Sequence, residues 1–345
     1  MSRAAEIFVP GRLCLFGEHT DWAGEYRRED PSVREGLCII AGTDQGVFAR
    51  AEPADSGFHV SQILPDGTFS SEEHYGTADD ALRAAREPGN FHAYAAGTAC
   101  LIMREHPLAG LKFRVYRRTL PLKKGLSSSA AVCVATARAF SMVNGLGLSI
   151  EEEMETAYRG ELLTGSHCGR MDQACAYGDG PVLLSFDGDR MGIRRLTSGK
   201  PIYILMADLG RKKDTKRILS DLNECFKKKD AGIRSALGEH NHSIIERASE
   251  DIGSGDARGL GELMNEAQLI FDELVAPCCH EELAAPVLHE VLDMARSSGL
   301  VWGGKGVGSQ GEGAAQFICK GTMEREALAD HLAKEADVTS YSLTV

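Results

Sequence analysis

The chain has 345 residues, 43% hydrophobic and 26% charged, with a formal net charge of −12. This is the composition of a globular protein with one large or two ordinary domains. The acidic balance disfavours nonspecific nucleic-acid binding, and no apolar run approaches the ~20 residues that span a bilayer. Neither nucleic acid nor membrane is therefore an expected partner. Most of the ten cysteines lie in apolar strings such as Leu13-Cys14-Leu15, where a reduced thiol packs as a small hydrophobe. Residues 1–10 are too short and mixed for a signal peptide, and the expected compartment is a reducing cytoplasm. Cys278-Cys279-His280 makes a poor metal site, because adjacent cysteines do not easily share one tetrahedron.

In chain order, residues 7–9 and 13–16 read as short strands around a Pro-Gly turn. Residues 25–35 are charged, contain Pro31 and read as a surface loop inserted before strands at 37–41 and 46–51. A helix is expected over 91–104 and a strand over 113–117. A long helix over 127–144 is ended by Gly145. Another, over 150–164, is opened by a capping box of Ser149 with Glu152. A strand at 181–186 follows. In the remainder, strands are expected at 202–206, 300–302 and 314–319. Helices are expected up to about residue 227 and over 233–248, 260–274, 282–297 and 325–334. Strands with intervening helices in both halves suggest an α+β protein.

The most informative stretch is Pro121-Leu122-Lys123-Lys124-Gly125-Leu126-Ser127-Ser128-Ser129-Ala130-Ala131. Gly125 bends the chain, and three hydroxyls precede a helix-forming run. A helix N-terminus carries unpaired N–H groups and a partial positive charge, and a glycine lead-in lets a polyphosphate approach closely. Serines there can donate to phosphate oxygens or ligate Mg²⁺. A serine N-cap would account for one hydroxyl, not three. No Gly-Lys-Ser/Thr closes the loop, so it is not a Walker A motif.

This stretch resembles the phosphate loop of the GHMP kinases, the family of galactokinase, homoserine kinase, mevalonate kinase and phosphomevalonate kinase. Two further segments fit in the expected order. Pro10-Gly11-Arg12-Leu13-Cys14-Leu15-Phe16-Gly17-Glu18-His19-Thr20-Asp21 resembles the galactokinase signature. Gly303-Gly304-Lys305-Gly306-Val307-Gly308-Ser309-Gln310-Gly311-Glu312-Gly313 stands where the family keeps a third, glycine-rich motif, with Gln310 and Glu312 departing from its pattern. The resemblance spans nearly the whole chain. It implies a ribosomal-S5-like N-terminal domain over 1–190, carrying the phosphate loop and catalytic aspartate, and a ferredoxin-like C-terminal domain over 191–345. It also implies ATP and Mg²⁺ as cofactors, with ATP meeting Lys123, Gly125, Leu126, Ser127, Ser128, Ser129 and Ala130.

Phosphoryl transfer needs an oriented nucleophile, neutralised phosphoryl charge and Mg²⁺ on oxygen ligands. Cys168-Gly169-Arg170-Met171-Asp172-Gln173 resembles the galactokinase segment whose aspartate accepts or orients the acceptor hydroxyl. The resemblance thus makes Asp172 the catalytic carboxylate and places Gly169 at the acceptor. Glu161 precedes Asp172 by the spacing at which mevalonate kinases keep a Mg²⁺-ligating glutamate, so Glu161 and Ser129 are the implied metal ligands. Arg12 stands where galactokinases keep an arginine that can stabilise the transferring group. Glu18, His19 and Asp21 can bracket several hydroxyls. Asp21 favours a sugar, because mevalonate kinases lack a carboxylate there. Phe91 occupies the place of an aromatic that walls the adenine. The run Arg211-Lys212-Lys213-Asp214-Thr215-Lys216-Arg217 is the densest basic segment. It is either a solvated face or a contact to phosphate or an acidic substrate through Lys212, Thr215 or Lys216. Trp22 packs on a sugar or fills the core. The expected activity is ATP-dependent phosphorylation of a small sugar hydroxyl, the anomeric one. The alternatives are a mevalonate-type or other alcohol kinase and a catalytically silent sugar-binding regulator.

Overall fold

A computed structural model describes residues 4–106, 110–120, 126–166, 168–178 and 180–345. The chain divides into two compact units, one of Met1–Arg12 with Gly42–Asp179, the other of Leu13–Ala41 with Gly180–Val345. The segment Leu13–Ala41 thus groups with the C-terminal half.

In the first unit, Glu73–Tyr75 pairs antiparallel with Phe58–Gln62, which runs parallel to Gly110–Arg118. That strand is antiparallel to residues 47–54 of the long strand Gly36–Ala54. Phe58 stacks near Phe113 and Phe140, with ring centroids 6.2 and 5.5 Å away. The helices Ala93–Glu105, Ser128–Asn144 and Ile150–Leu162 pack on one another. Two of them meet at a glycine crossing: a Cβ on Gly97 would lie 2.2 Å from the Gly160 carbonyl oxygen. The expected capping box of Ser149 and Glu152 opens Ile150–Leu162, and Gly145, at φ 66°, ends Ser128–Asn144.

In the second unit, residues 36–41 pair antiparallel with Pro181–Asp187, which pairs with Arg190–Arg195. A separate antiparallel sheet runs Thr339–Thr344, Tyr203–Asp208, Ala314–Cys319, Val301–Gly306. Its chain order, strand–helices–strand–strand–helix–strand, is ferredoxin-like. The helices Pro286–Ser297 and Thr322–Ala336 cover it through Leu288, Leu292, Leu328 and Leu332.

Several elements differ from expectation. The two short strands near the N-terminus are one strand, Ala5–Phe16. Proline's fixed φ is compatible with extended backbone, and Gly11 lets the strand press against Leu120 and Leu126, where a Cβ would come within 2.4 Å of a Leu120 methyl. The loop expected over 25–35 is part helical, Thr20–Glu25 followed by a 3₁₀ turn Tyr26–Arg28. Its Val33 is buried among Ile218, Leu222 and Phe226. Arg27 ties it down by donating to Asp187 and to the Val33 carbonyl. The helix expected over 233–248 is Ala231–Ser235 and Asn241–Ser254 joined by a π-helical turn, Ala236–His240. Pro286 starts a new helix within the one expected over 282–297. Strands Phe58–Gln62, Glu73–Tyr75, Arg190–Arg195 and Thr339–Thr344, and the helix Ala78–Arg86, add to the expected set.

Candidate active site

In the first unit, the strand Ala5–Phe16 delivers Arg12, whose backbone N–H donates to the Leu126 carbonyl at 3.3 Å. That bond sets the strand beside the N-terminus of Ser128–Asn144. The Arg12 side chain is 7% exposed and donates to Oδ1 of Asp172 through both Nε, at 3.1 Å, and its terminal amine. Asp172 begins a 3₁₀ turn, Asp172–Tyr177, and its N–H donates to the Gly169 carbonyl at 3.3 Å. Ser127 holds the N-cap position in left-handed backbone, φ 51°, and makes no capping bond. Its hydroxyl donates instead to Asp172 Oδ1 at 3.0 Å. The donors all converge on Oδ1, and among the described residues none meets Oδ2.

Glu161 directly follows the glycine crossing and is 2% exposed. Its carboxylate accepts from Gln173 Nε2 at 2.8 Å and from the Ser166 hydroxyl at 3.4 Å, and the nearby Ser129 hydroxyl favours its charged form. Burial, then the negative Asp172, raise its pKa to about 7, since both disfavour the charged form. A cation would relieve both. With the Ser129 hydroxyl, Glu161 offers only oxygen donors, the type that suits Mg²⁺, which needs one or two carboxylates and keeps waters or phosphates for the rest. Among the described residues no cluster of three or more His, Cys, Asp or Glu stands ready to hold a metal by itself.

The other expected nucleotide contacts are uneven. Ser128 lies in the first turn of its helix. Leu126 and Ala130 have fully buried side chains, so only their backbone can face a ligand. Lys123 and Gly125 lie outside the described residues. Phe91 is half-buried. The Arg118 guanidinium lies over its ring at 5.6 Å and donates to Gln62 at 2.9 Å.

In the second unit, Gly17 turns the chain at φ 89°, where a Cβ would strike the Leu37 carbonyl at 2.2 Å. The Thr20 hydroxyl fixes this turn by contacting the Gly17 and Leu37 carbonyls at 2.7 and 2.9 Å. Glu18 is buried and ion-paired with the buried Lys305, whose ammonium also donates to the Gly306 carbonyl at 3.0 Å. His19 adopts φ 70°, and its Nδ1 accepts from Trp22 Nε1 at 3.2 Å. Its Nε2 is buried without a partner among the described residues. Burial, then the ammonium groups of Lys213 and Lys305, lower the His19 pKa to about 3, so the ring is neutral and Nε2 carries the proton. Asp21 is buried in the first turn of Thr20–Glu25. Trp22 belongs to an aromatic cluster with Tyr26 and Phe226.

Lys213, Lys305 and Gln310 were not among the residues expected to act. Of the basic run it is Lys213 that turns inward, donating to the Gln310 carbonyl at 2.7 Å. Lys212 and Lys216 are exposed, and the Thr215 hydroxyl meets that of Ser309 at 3.5 Å. Glu312, which would repel a phosphate if it faced one, accepts from the Val287 N–H at 3.1 Å, in the first turn of Pro286–Ser297. The signal for Lys305 was a lone charge in the glycine-rich, otherwise uncharged strand Val301–Gly306.

Residues 93–180 match the GHMP kinases N-terminal domain. The chain is 25% identical over 337 residues to the mevalonate kinase of Aeropyrum pernix, covering 95% of each. It is 27% identical over 205 residues to the galactokinase of Chloroflexus aggregans, covering 59% of this chain and 48% of that one. It shares its fold with Lactococcus lactis galactokinase complexed with galactose, at a TM-score of 0.74 and 16% identity over 99% of this chain and 94% of that one.

Proposed function

We propose, from the match of residues 93–180 to the GHMP kinases N-terminal domain and the likeness to a mevalonate kinase over nearly its full length, that the chain is a GHMP kinase that transfers the γ-phosphoryl group of ATP to a hydroxyl of a small sugar, the anomeric one. The observation that carries this reading is the Asp172 carboxylate, fixed through Oδ1 by Arg12 and Ser127 while Oδ2 meets no donor among the described residues. Oδ2 then receives the acceptor hydroxyl's proton as that hydroxyl's oxygen attacks the γ-phosphorus and the bond to the β,γ-bridging oxygen breaks, releasing ADP. Arg12 keeps the carboxylate oriented and offers positive charge to the transferring group. Glu161 and Ser129 would hold Mg²⁺, which when bound would neutralise charge on the phosphates. Glu18, His19 and Asp21 hold the acceptor, and the buried carboxylate of Asp21 supports a polyhydroxyl ligand.

A second reading, a mevalonate-type alcohol kinase, is favoured by the likeness to a mevalonate kinase over nearly its full length. Acceptor-dependent ADP release over a panel of hexoses, pentoses, uronic acids, inositol and mevalonate separates the two. A sugar acceptor supports the first reading and mevalonate alone the second. A panel without any acceptor-dependent ADP leaves the sugar-binding regulator in place of both.

A further inference from the structure

Resting on the kinase reading above, we propose that the acceptor is an acid, a polyhydroxy carboxylate of the uronic-acid type, whose anionic group is read by Lys213 and His19 while its hydroxyls are read by Gln310 and its neighbours. Glu18 and Lys305 neutralise each other in a buried ion pair. Lys213 is then a surplus cation: it bonds to the Gln310 carbonyl, and among the described residues no carboxylate stands within ion-pair distance of it. Gly313 makes room for it, since a Cβ there would sit 2.7 Å from the ammonium nitrogen. His19, 4% exposed, presents an N–H at Nε2 that finds no acceptor among the described residues, its other nitrogen being engaged by Trp22. Gln310, 3% exposed, presents an amide oxygen that finds no donor among the described residues.

Buried polar groups without partners are costly and rare in folded proteins. The set left over is one cation, one N–H donor and one carbonyl acceptor. A neutral sugar supplies hydroxyls for the last two and leaves Lys213 and Lys305 with Glu18 as the one carboxylate between them. A carboxylate satisfies Lys213 and His19, and a hydroxyl on the same molecule satisfies Gln310. The lowered Lys213 pKa, about 8, has burial as its main cause, with the Glu18 carboxylate acting the other way, and agrees with one carboxylate shared between two ammonium groups. The same chemistry would also accept a nucleotide phosphate, so the two sources must be separated.

The test uses the purified full-length protein and matched acceptors: galacturonate with galactose, glucuronate with glucose, and mevalonate with its neutral triol. Calorimetric binding without nucleotide is measured beside ADP release, so a failure of catalysis leaves the binding comparison intact. Expected are tighter binding and higher kcat/KM for each productive acid than for its neutral counterpart. Lys213→Met lowers the acid's kcat/KM by about 10²-fold, mainly through KM, the loss typical of truncating one side of a buried charge pair. ATP KM stays within about twofold, and Lys213→Arg, which keeps the charge, restores most of the loss. Unchanged melting of both variants shows that the fold is intact. Neutral acceptors binding as well as acids would overturn the proposal. So would a Lys213→Met defect that falls on ATP KM instead, which would give the cation to the nucleotide. Absence of ADP release with every acceptor would sink the kinase reading and leave the anion preference to be judged by calorimetry alone.

Discussion

If Glu161 holds Mg²⁺ as proposed, the Mg²⁺ requirement of the protein should depend on pH. Its carboxyl must be ionised to ligate a cation, and burial with the adjoining Asp172 holds its pKa at about 7, against an ordinary value of 4.5. With that pKa, about nine-tenths of the group is ionised at pH 8 and about one-tenth at pH 6. Half-saturating Mg²⁺ should therefore rise about tenfold from pH 8 to pH 6. An unperturbed glutamate would stay ionised throughout and give a flat response. The assay is a Mg²⁺ titration of acceptor-dependent ADP formation at fixed ATP in steps across that range, with Glu161→Gln run in parallel. The glutamine variant should need more Mg²⁺ at every pH and show only the dependence that ATP's own phosphates impose. The same group predicts a stability effect of definite sign. A native pKa raised above the unfolded one means stability is lost as pH rises from about 4.5 through about 7. Glu161→Gln should therefore raise the metal-free melting temperature at pH 8 and leave it unchanged near pH 4. Parallel Mg²⁺ curves for wild type and variant across the whole range would refute the reasoning.

Asp21→Ala should raise the acceptor KM strongly or abolish turnover, with ATP KM little changed, because a site that reads hydroxyls loses heavily when its polar partner goes; unaltered acceptor kinetics would remove Asp21 from the site. Gly160→Ala places a Cβ 2.6 Å from the Thr98 backbone, so Ile150–Leu162 must shift and take Glu161 with it. Lowered melting temperature and a several-fold higher Mg²⁺ requirement are expected, the cost of overpacking a close crossing being about 1–3 kcal/mol. A variant with wild-type melting and Mg²⁺ response would show that the crossing does not position the carboxylate.

Local signals were readable from the sequence because both partners lie within a few residues. Ser149 with Glu152, and Gly145 after its helix, set element ends through bonds to their own backbone. The first motif, the phosphate loop and the string around Asp172 were legible as patterns, and the first unit brings Arg12, Ser127 and Asp172 to one carboxylate oxygen. What the hydroxyl of Ser127 does was not legible, since an N-cap bond and a bond to a residue 45 positions away look alike in a string. The basic run posed the same problem. Neighbouring lysines are interchangeable by composition, and Lys213 is singled out only by Gln310, 97 positions on, and by the space left at Gly313. The segment 25–35 read as a loop because it is charged. Its few apolar residues, Val33 above all, dock on Ile218, Leu222 and Phe226, which no local window contains.

The most direct test of the central claim compares wild type with Asp172→Asn in acceptor-dependent ADP formation, with ATP binding measured on the same preparations. The asparagine keeps the shape and can still accept at one oxygen from Arg12 and Ser127, but it cannot take a proton at the other. Loss of a general base typically costs about 10²–10⁴-fold in kcat, and nucleotide affinity should stay within about twofold. An Asp172→Asn protein that retains more than about a tenth of wild-type kcat, a loss too small for a proton acceptor, would contradict the account.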